Sequence, residues 1–479
     1  MNDEEFETFH FLKLDEFFAQ YLTQTSATPI LESIKNAASL LEAGKKVNFD
    51  FSVFDVLTSS NSRPGPKPPS VTVSSRSPKT ETKASKPQKS EIEPLIPKGK
   101  QIPTFYGPKE NSKEASTILQ LSKLDKISTD KIEPLIQGFC HLPRCFAPLL
   151  LKLRGLTTGE KLSKFWNKNI LGRDYNERFF NFIIGNDDRD FIFPSDLIPF
   201  VKAIVKTHNS LKFLKEEELF QEKFIDFIIA RCFYIMDDEL RGTVGLYQFR
   251  KVDLASMFYK AERMTDVNDS QHAFNYQHFY VTFCKFWDLD SDGDGYLNKE
   301  ELLKFNDSGI TPIVIERYFQ AGFYPRSSNR KKLIDFISFS YLLMSSEDKT
   351  NLTSINFWYK LCDLDDDGIL SLKEVEDLYK TQYERMRITG HETISFDNIF
   401  KQLIDIVSPE DSSFITLSDL VKSKMADVFF NTLFDLQKFL IKEYQFPSMD
   451  PDMEDMSKKF TPWEIYVMIE YDQLVSEDA

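Results

Sequence analysis

The sequence predicts a mainly α-helical chain of tandem helix–loop–helix units, on three observations. Two twelve-residue stretches carry oxygen-bearing side chains at positions one, three, five, nine and twelve, with glycine at six. Apolar residues recur at helical spacing on either side of both. Four further segments keep parts of the same skeleton but have lost ligands.

In the first stretch Asp290, Asp292 and Asp294 hold positions one, three and five, and Gly295 holds six. The Tyr296 carbonyl serves at seven and Asn298 at nine, directly or through water. Glu301 closes the shell with two oxygens. In the second, Asp363, Asp365 and Asp367 are followed by Gly368, the Ile369 carbonyl, Ser371 and Glu374. Leu297 and Leu370 are the apolar residues at position eight. A hard cation wants about seven oxygens, and this spacing supplies them as the loop winds round it: these are EF-hand loops for two calcium ions. Four carboxylates so close repel one another, so binding and loop order are coupled.

The remaining elements follow in order. Residues 1–57 read as a short helical module, with Phe11, Leu14, Phe17, Phe18, Tyr21 and Leu22 at helical spacing, and a second helix over 29–42. So small a module packs on a partner, on a copy of itself or on the main body. Residues 58–100 hold eight of the 22 prolines, nine Lys/Arg against three Glu, and no aromatic residue. That composition predicts a disordered basic linker, with Ser77-Pro78 as a candidate phosphorylation site. Helical pattern resumes after Ile102-Pro-Thr-Phe-Tyr106. Residues 101–260 form a lobe with degenerate hands, 261–345 a lobe around loop 290–301, and 346–479 a lobe around loop 363–374, closed by a C-terminal helix.

The degenerate loops are read at Asn186–Asp190, Asp237–Gln248, Ser327–Ser338 and Ser408–Asp419. In Asp237–Gln248 the fifth-position ligand is replaced by Arg241 and the twelfth by Gln248. A cation in the ligand shell repels calcium, so that hand is structural. EF-hands pair through position eight, and the spacing suggests 186 with 237, 290 with 327 and 363 with 408. After Thr461-Pro462-Trp463-Glu464, a capping box, the last helix is expected to close the last lobe.

A formal net charge of −15 argues against a general nucleic-acid binder. No apolar run reaches transmembrane length, and Met1–Phe6 is acidic, unlike a secretory signal. Five irregularly spaced cysteines fit reduced thiols in a cytoplasmic or nuclear protein, with a centrosomal or cytoskeletal location left open. Cys140, His141 and Cys145 lie close but lack a second ligand pair for zinc. The six histidines are scattered and the kinase motifs are absent, so no catalytic constellation is read.

Runs outside the loops carry a resemblance. Phe274–Val281 (FNYQHFYV), Lys285–Asp290 (KFWDLD), Ser346–Lys349 (SEDK), Thr353–Trp358 (TSINFW), Tyr383–Met386 (YERM), Ile415–Leu420 (ITLSDL) and Tyr471–Asp478 (YDQLVSED) stand in one order. With Ile102–Tyr106 and Lys206–Leu211 (KTHNSL), they resemble the B″ regulatory subunits of protein phosphatase 2A. The resemblance covers roughly residues 101–478. It implies a non-catalytic subunit that binds the helical-repeat scaffold and the catalytic subunit, and that chooses phosphoprotein substrates or locations under calcium control. Members of that family can have an incomplete first loop. Here both loops are complete, which implies tighter calcium control. The competing reading is a free-standing calcium sensor with another target.

Overall fold

The computed structural model describes residues 112–185, 189–215, 217–269, 273–321, 333–445 and 456–477. The expectations for 1–57, for the linker with Ser77, and for Ile102–Tyr106 lie outside them, as does the first half of the loop at Ser327–Ser338. The chain divides at Gly99 and Lys100 into two units, and every described residue belongs to the second.

Helices dominate this unit, interrupted by strands two residues long. Each strand pair joins two hands. β1 (Phe191–Ile192) pairs with β2 (Val244–Gly245), β3 (Tyr296–Leu297) with β4 (Ile334–Asp335), and β5 (Leu370–Ser371) with β6 (Phe414–Ile415), all antiparallel. The position-eight residues meet directly: Ile192 with Val244, Leu297 with Ile334, and Leu370 with Ile415. All six side chains are buried. The sequence pairing of hands is therefore the observed one, and each complete loop is paired with a ligand-poor partner.

Helix Glu218–Met236 lies at the centre. Its apolar residues fall on every face, as expected of a helix buried all round. It packs against Pro194–Thr207, Leu246–Val252, Tyr276–Leu289 and Phe336–Glu347, so it joins the first pair of hands to the second. The buried side chains form one continuous core from Ile118 to Val467. Much of it is aromatic: Phe279 meets Phe220, Phe224 and Phe227 with ring centroids 5.0, 5.0 and 6.0 Å apart. Upstream, helix Ser112–Ser122 is pinned by a buried Glu114, which accepts from Trp166 Nε1 at 2.8 Å and pairs with Arg178 at 3.0 Å.

The stretch after the last loop forms two helices, Leu417–Ser423 and Ala426–Phe434, because Lys424 adopts a left-handed φ of 56°. The break turns the second piece onto helix Leu372–Ile388. One expectation is corrected. The C-terminal helix Pro462–Glu477 does not close the last lobe. It packs on Tyr276–Leu289 and Phe336–Glu347, the helices flanking the middle pair of hands. The acceptor for its buried indole is there, as is the partner of Glu470, Lys285 at 2.6 Å. Among the described residues no helix is long and apolar enough to cross a membrane.

Candidate calcium sites

The two complete loops fold alike because the same local forces act in both. Position six needs a left-handed backbone, and Gly295 (φ 79°) and Gly368 (φ 87°) supply it without a Cβ clash. The first-position aspartate then reaches over the turn. Asp290 accepts from the N–H of Asp294 at 3.1 Å and of Gly295 at 2.9 Å. Asp363 accepts from Asp367 and Gly368 at the same two distances. Position nine caps the exiting helix, and position twelve is the third residue of that helix. Asn298 with Glu301, and Ser371 with Glu374, are thus capping boxes as well as ligand pairs.

Burial follows the same plan. Asp290, Glu301, Asp363 and Glu374 are buried, while Asp292, Asp294, Asp365 and Asp367 are exposed. In the first loop the carboxylates of Asp290, Asp292 and Asp294 converge, with ligand oxygens within 4.8 Å of one another; in the second, those of Asp363, Asp365 and Glu374 do. Glu301 is not gathered with its three aspartates. Its oxygens accept from Ser291 N at 2.9 Å, Ser291 Oγ at 2.7 Å and Asn298 N at 3.0 Å. Burial alone would raise the Glu301 carboxyl, but these bonds outweigh it and hold it below its ordinary range. Asp367 stays apart from the second cluster and accepts from Ile369 N at 2.9 Å. Tyr296, the seventh-position residue of the first loop, lies in β3 and donates its N–H to Asp294 at 2.8 Å. The donors are all oxygen, paired with buried acids at the two ends of each loop. That set fits calcium and not a thiolate- or imidazole-seeking metal.

The ligand-poor hands show what replaces the ion. With Ile192 at position eight, the loop around Asn186–Asp190 places Arg189 at five and Asp196 at twelve. Arg189 grips Asp196 with two bonds, 2.7 and 2.9 Å. A guanidinium from within the loop thus meets the acid that a calcium ion would need. Sequence reading missed this because no strand was visible to fix the register; two arginines at position five, Arg189 and Arg241, were the available signal. Arg241 pairs with Glu239, the third-position acid of its own loop. In the last hand Thr416 and Asp419 repeat the capping box with a shorter acid, and Glu410 is held by Lys422 at 3.0 Å.

Cys140 and Cys145 form no metal site with His141. Burial pushes both thiols up to about 12, and the His141 ring packs 4.3 Å from that of Tyr175.

A groove of about 1070 Å³ runs beside the first complete loop. One wall is Phe193, Ile198, Leu219 and Ile229 from the first pair of hands; the other is Phe283, Trp287, Asp290 and Gly293–Tyr296. Leu219 is 70 % exposed and Trp287 61 %. Phe279 and Phe305, on the helices to either side of that loop, are core residues and do not line the groove. Both fall on the inner side of their helices, against Phe224 and Phe339 respectively.

Fold and loops together define an EF-hand protein, and the three pairs of hands among the described residues include two complete calcium-type loops. The EF-hand domain family model matches residues 174–263, the first, ligand-poor pair. The human B″ beta regulatory subunit of serine/threonine-protein phosphatase 2A is 31 % identical over 404 residues, covering 81 % of this chain and 70 % of that protein. A probable B″ epsilon regulatory subunit from Arabidopsis thaliana is 28 % identical over 485 residues, 97 % of this chain and 89 % of the relative. The human B″ alpha regulatory subunit is 32 % identical over 327 residues, which is 68 % of this chain but 28 % of that protein's length. A solved chain described as a PP2A PR70 holoenzyme superposes with a TM-score of 0.52 at 34 % identity, covering 55 % of this chain and 97 % of that one. The chain belongs to the B″ regulatory-subunit family of protein phosphatase 2A.

Proposed function

We propose that this protein is a calcium-binding, non-catalytic subunit of a phosphatase 2A holoenzyme. It binds the scaffold and catalytic subunits and directs them to phosphoprotein substrates. The observation that carries this is the position of loop 290–301 in the wall of the apolar groove. Calcium held by Asp290, Asp292, Asp294, the Tyr296 carbonyl, Asn298 and Glu301 supplies charge neutralisation there. Asp363, Asp365, Asp367, the Ile369 carbonyl, Ser371 and Glu374 hold a second ion. Neutralising the acids of the first loop fixes the angle between the helix ending at Leu289 and the one beginning at Lys299. The groove wall carrying Trp287 is then ordered before a partner arrives, which reduces the entropy lost on binding.

The test is recovery of scaffold and catalytic subunits by wild type and by Asp290→Ala with Glu301→Gln, in calcium and in chelator. The expected result is recovery by wild type that rises in calcium, by about 5–150-fold in affinity, the usual size of such coupling. Equal recovery in all lanes removes calcium from the mechanism. No recovery with folded protein leaves a free-standing sensor as the reading.

A further inference from the structure

Helix Pro312–Ala321 belongs to the ligand-poor hand paired with the first calcium loop, yet it reaches the second. It packs on Lys299–Leu302, the exit helix of loop 290–301. It packs also on Leu352–Cys362 and Leu372–Ile388, the entering and exiting helices of loop 363–374. Two adjacent residues face opposite ways from it. Glu316 pairs with Lys299, position ten of the first loop, at 3.2 Å. Arg317 enters the second loop: its Nη2 donates to the Asp363 carbonyl at 2.9 Å and pairs with the Asp366 carboxylate.

The choice of acceptors is informative. Asp366 is at position four, which is not a calcium ligand, and its backbone has a left-handed φ of 59°. Arg317 therefore holds the loop at its first carbonyl and at its strained fourth residue while leaving every ligand oxygen to the metal. Asp366 also offsets the guanidinium charge, and unlike Arg189 with Asp196 or Arg241 with Glu239, Arg317 takes no acid at a ligand position. The Arg317 side chain is 10 % exposed, so its arrangement is set by packing rather than by solvent. The next residue, Tyr318, is locked to the same side, its ring 5.5 Å from Phe357 of the second site's entering helix.

We propose that helix Pro312–Ala321 couples the two calcium sites, with Arg317 as the positioning residue. Occupancy of either loop sets this one helix, and the helix presents Arg317 to loop 363–374 in the orientation that loop needs. The two ions then bind with positive cooperativity. This rests on the calcium reading above and goes beyond it.

Coupling of this kind is reciprocal, which gives a closed test. Calcium alone is titrated into the full chain by calorimetry, for wild type, Glu374→Gln, Glu301→Gln, Arg317→Ala, and Arg317→Ala with each glutamine substitution. Abolishing the second site with Glu374→Gln is expected to weaken the first by about five-fold or more, and Glu301→Gln to weaken the second by the same factor. In the Arg317→Ala background both effects fall below about two-fold. Arg317→Lys, which keeps the charge and a donor but not the planar guanidinium, restores part of the coupling. Asp366→Gly, which suits the left-handed backbone, removes the carboxylate contact from an exposed position, so it tests the same link without disturbing the core; it too should weaken the coupling. Unchanged first-site affinity in Glu374→Gln, or an equal effect with and without Arg317, overturns the proposal while two sites still titrate. No binding by wild type overturns the calcium reading itself.

Discussion

Trp463 donates its indole N–H to Nδ1 of His278 at 3.0 Å, across 185 residues of sequence. Both side chains are buried, and the Arg231 guanidinium lies 5.6 Å from the centre of the indole ring. This contact fastens the C-terminal helix to the helix that enters the first calcium loop. It also requires the imidazole to be neutral at Nδ1, because a protonated ring has no acceptor to offer.

A pH dependence follows. Burial, reinforced by the Arg231 charge, pushes the His278 imidazole down to about 3. The unfolded value is near 6.5. Between the two the unfolded chain binds the extra proton, so this contribution is whole above about pH 6.5 and is lost as pH falls toward 3. His278→Gln keeps an acceptor for Trp463 and removes the titration. The stability advantage of wild type over this variant is expected to shrink by about 2 kcal/mol from pH 7 to pH 5, read by denaturant unfolding at each pH.

Calorimetry should count two calcium ions, with dissociation constants of roughly 10⁻⁷–10⁻⁵ M. Glu301→Gln and Glu374→Gln should each abolish one site, since an amide cannot supply the bidentate carboxylate. A count of one or three in wild type would contradict the assignment.

A third site should be recoverable. Loop 237–248 keeps Asp237, Glu239 and a left-handed Gly242 (φ 73°), and Asp237 still accepts from Gly242 N at 2.5 Å. Arg241→Asp with Gln248→Glu removes the repelling cation and restores the closing carboxylate. One additional ion per chain is the expected outcome, and an unchanged stoichiometry would show that more than the ligands has been lost.

Calcium should raise the melting temperature. At a free concentration about 100 times the dissociation constant, each site adds about 2.7 kcal/mol to the folded state. A melting temperature indifferent to chelator would mean that the loops are not loaded under those conditions.

Lys349 and Asp435 form a buried pair at 3.0 Å, 2 % and 1 % exposed, and the ammonium lies 5.4 Å from the Trp358 ring centre. Burial pushes the Lys349 amine down to about 8 despite the partner. Asp435→Asn leaves a cation without its counter-charge in the core and should cost about 3–5 kcal/mol. Replacing both residues by apolar ones of similar size should cost less, which thermal unfolding of the two variants would reveal.

What the sequence determined is what twelve consecutive residues can encode. The ligand spacing from Asp290 to Glu301 and from Asp363 to Glu374 is local, because turn, cap and ligand all lie within one loop. The position-eight residues of the two complete loops, Leu297 and Leu370, were legible for the same reason: each is placed by its own loop. Tertiary structure decided the rest, because those contacts depend on which helix faces are brought together. Arg189 closing on Asp196 needed the register that β1 takes from β2. Lys424 breaking a helix that its composition favours needed the surface of helix Leu372–Ile388. Trp463 found its acceptor on the middle lobe and not the last, and Arg317 crossed from one hand pair into the next, because a buried indole or guanidinium goes where burial also supplies a partner. No local spacing carries that information.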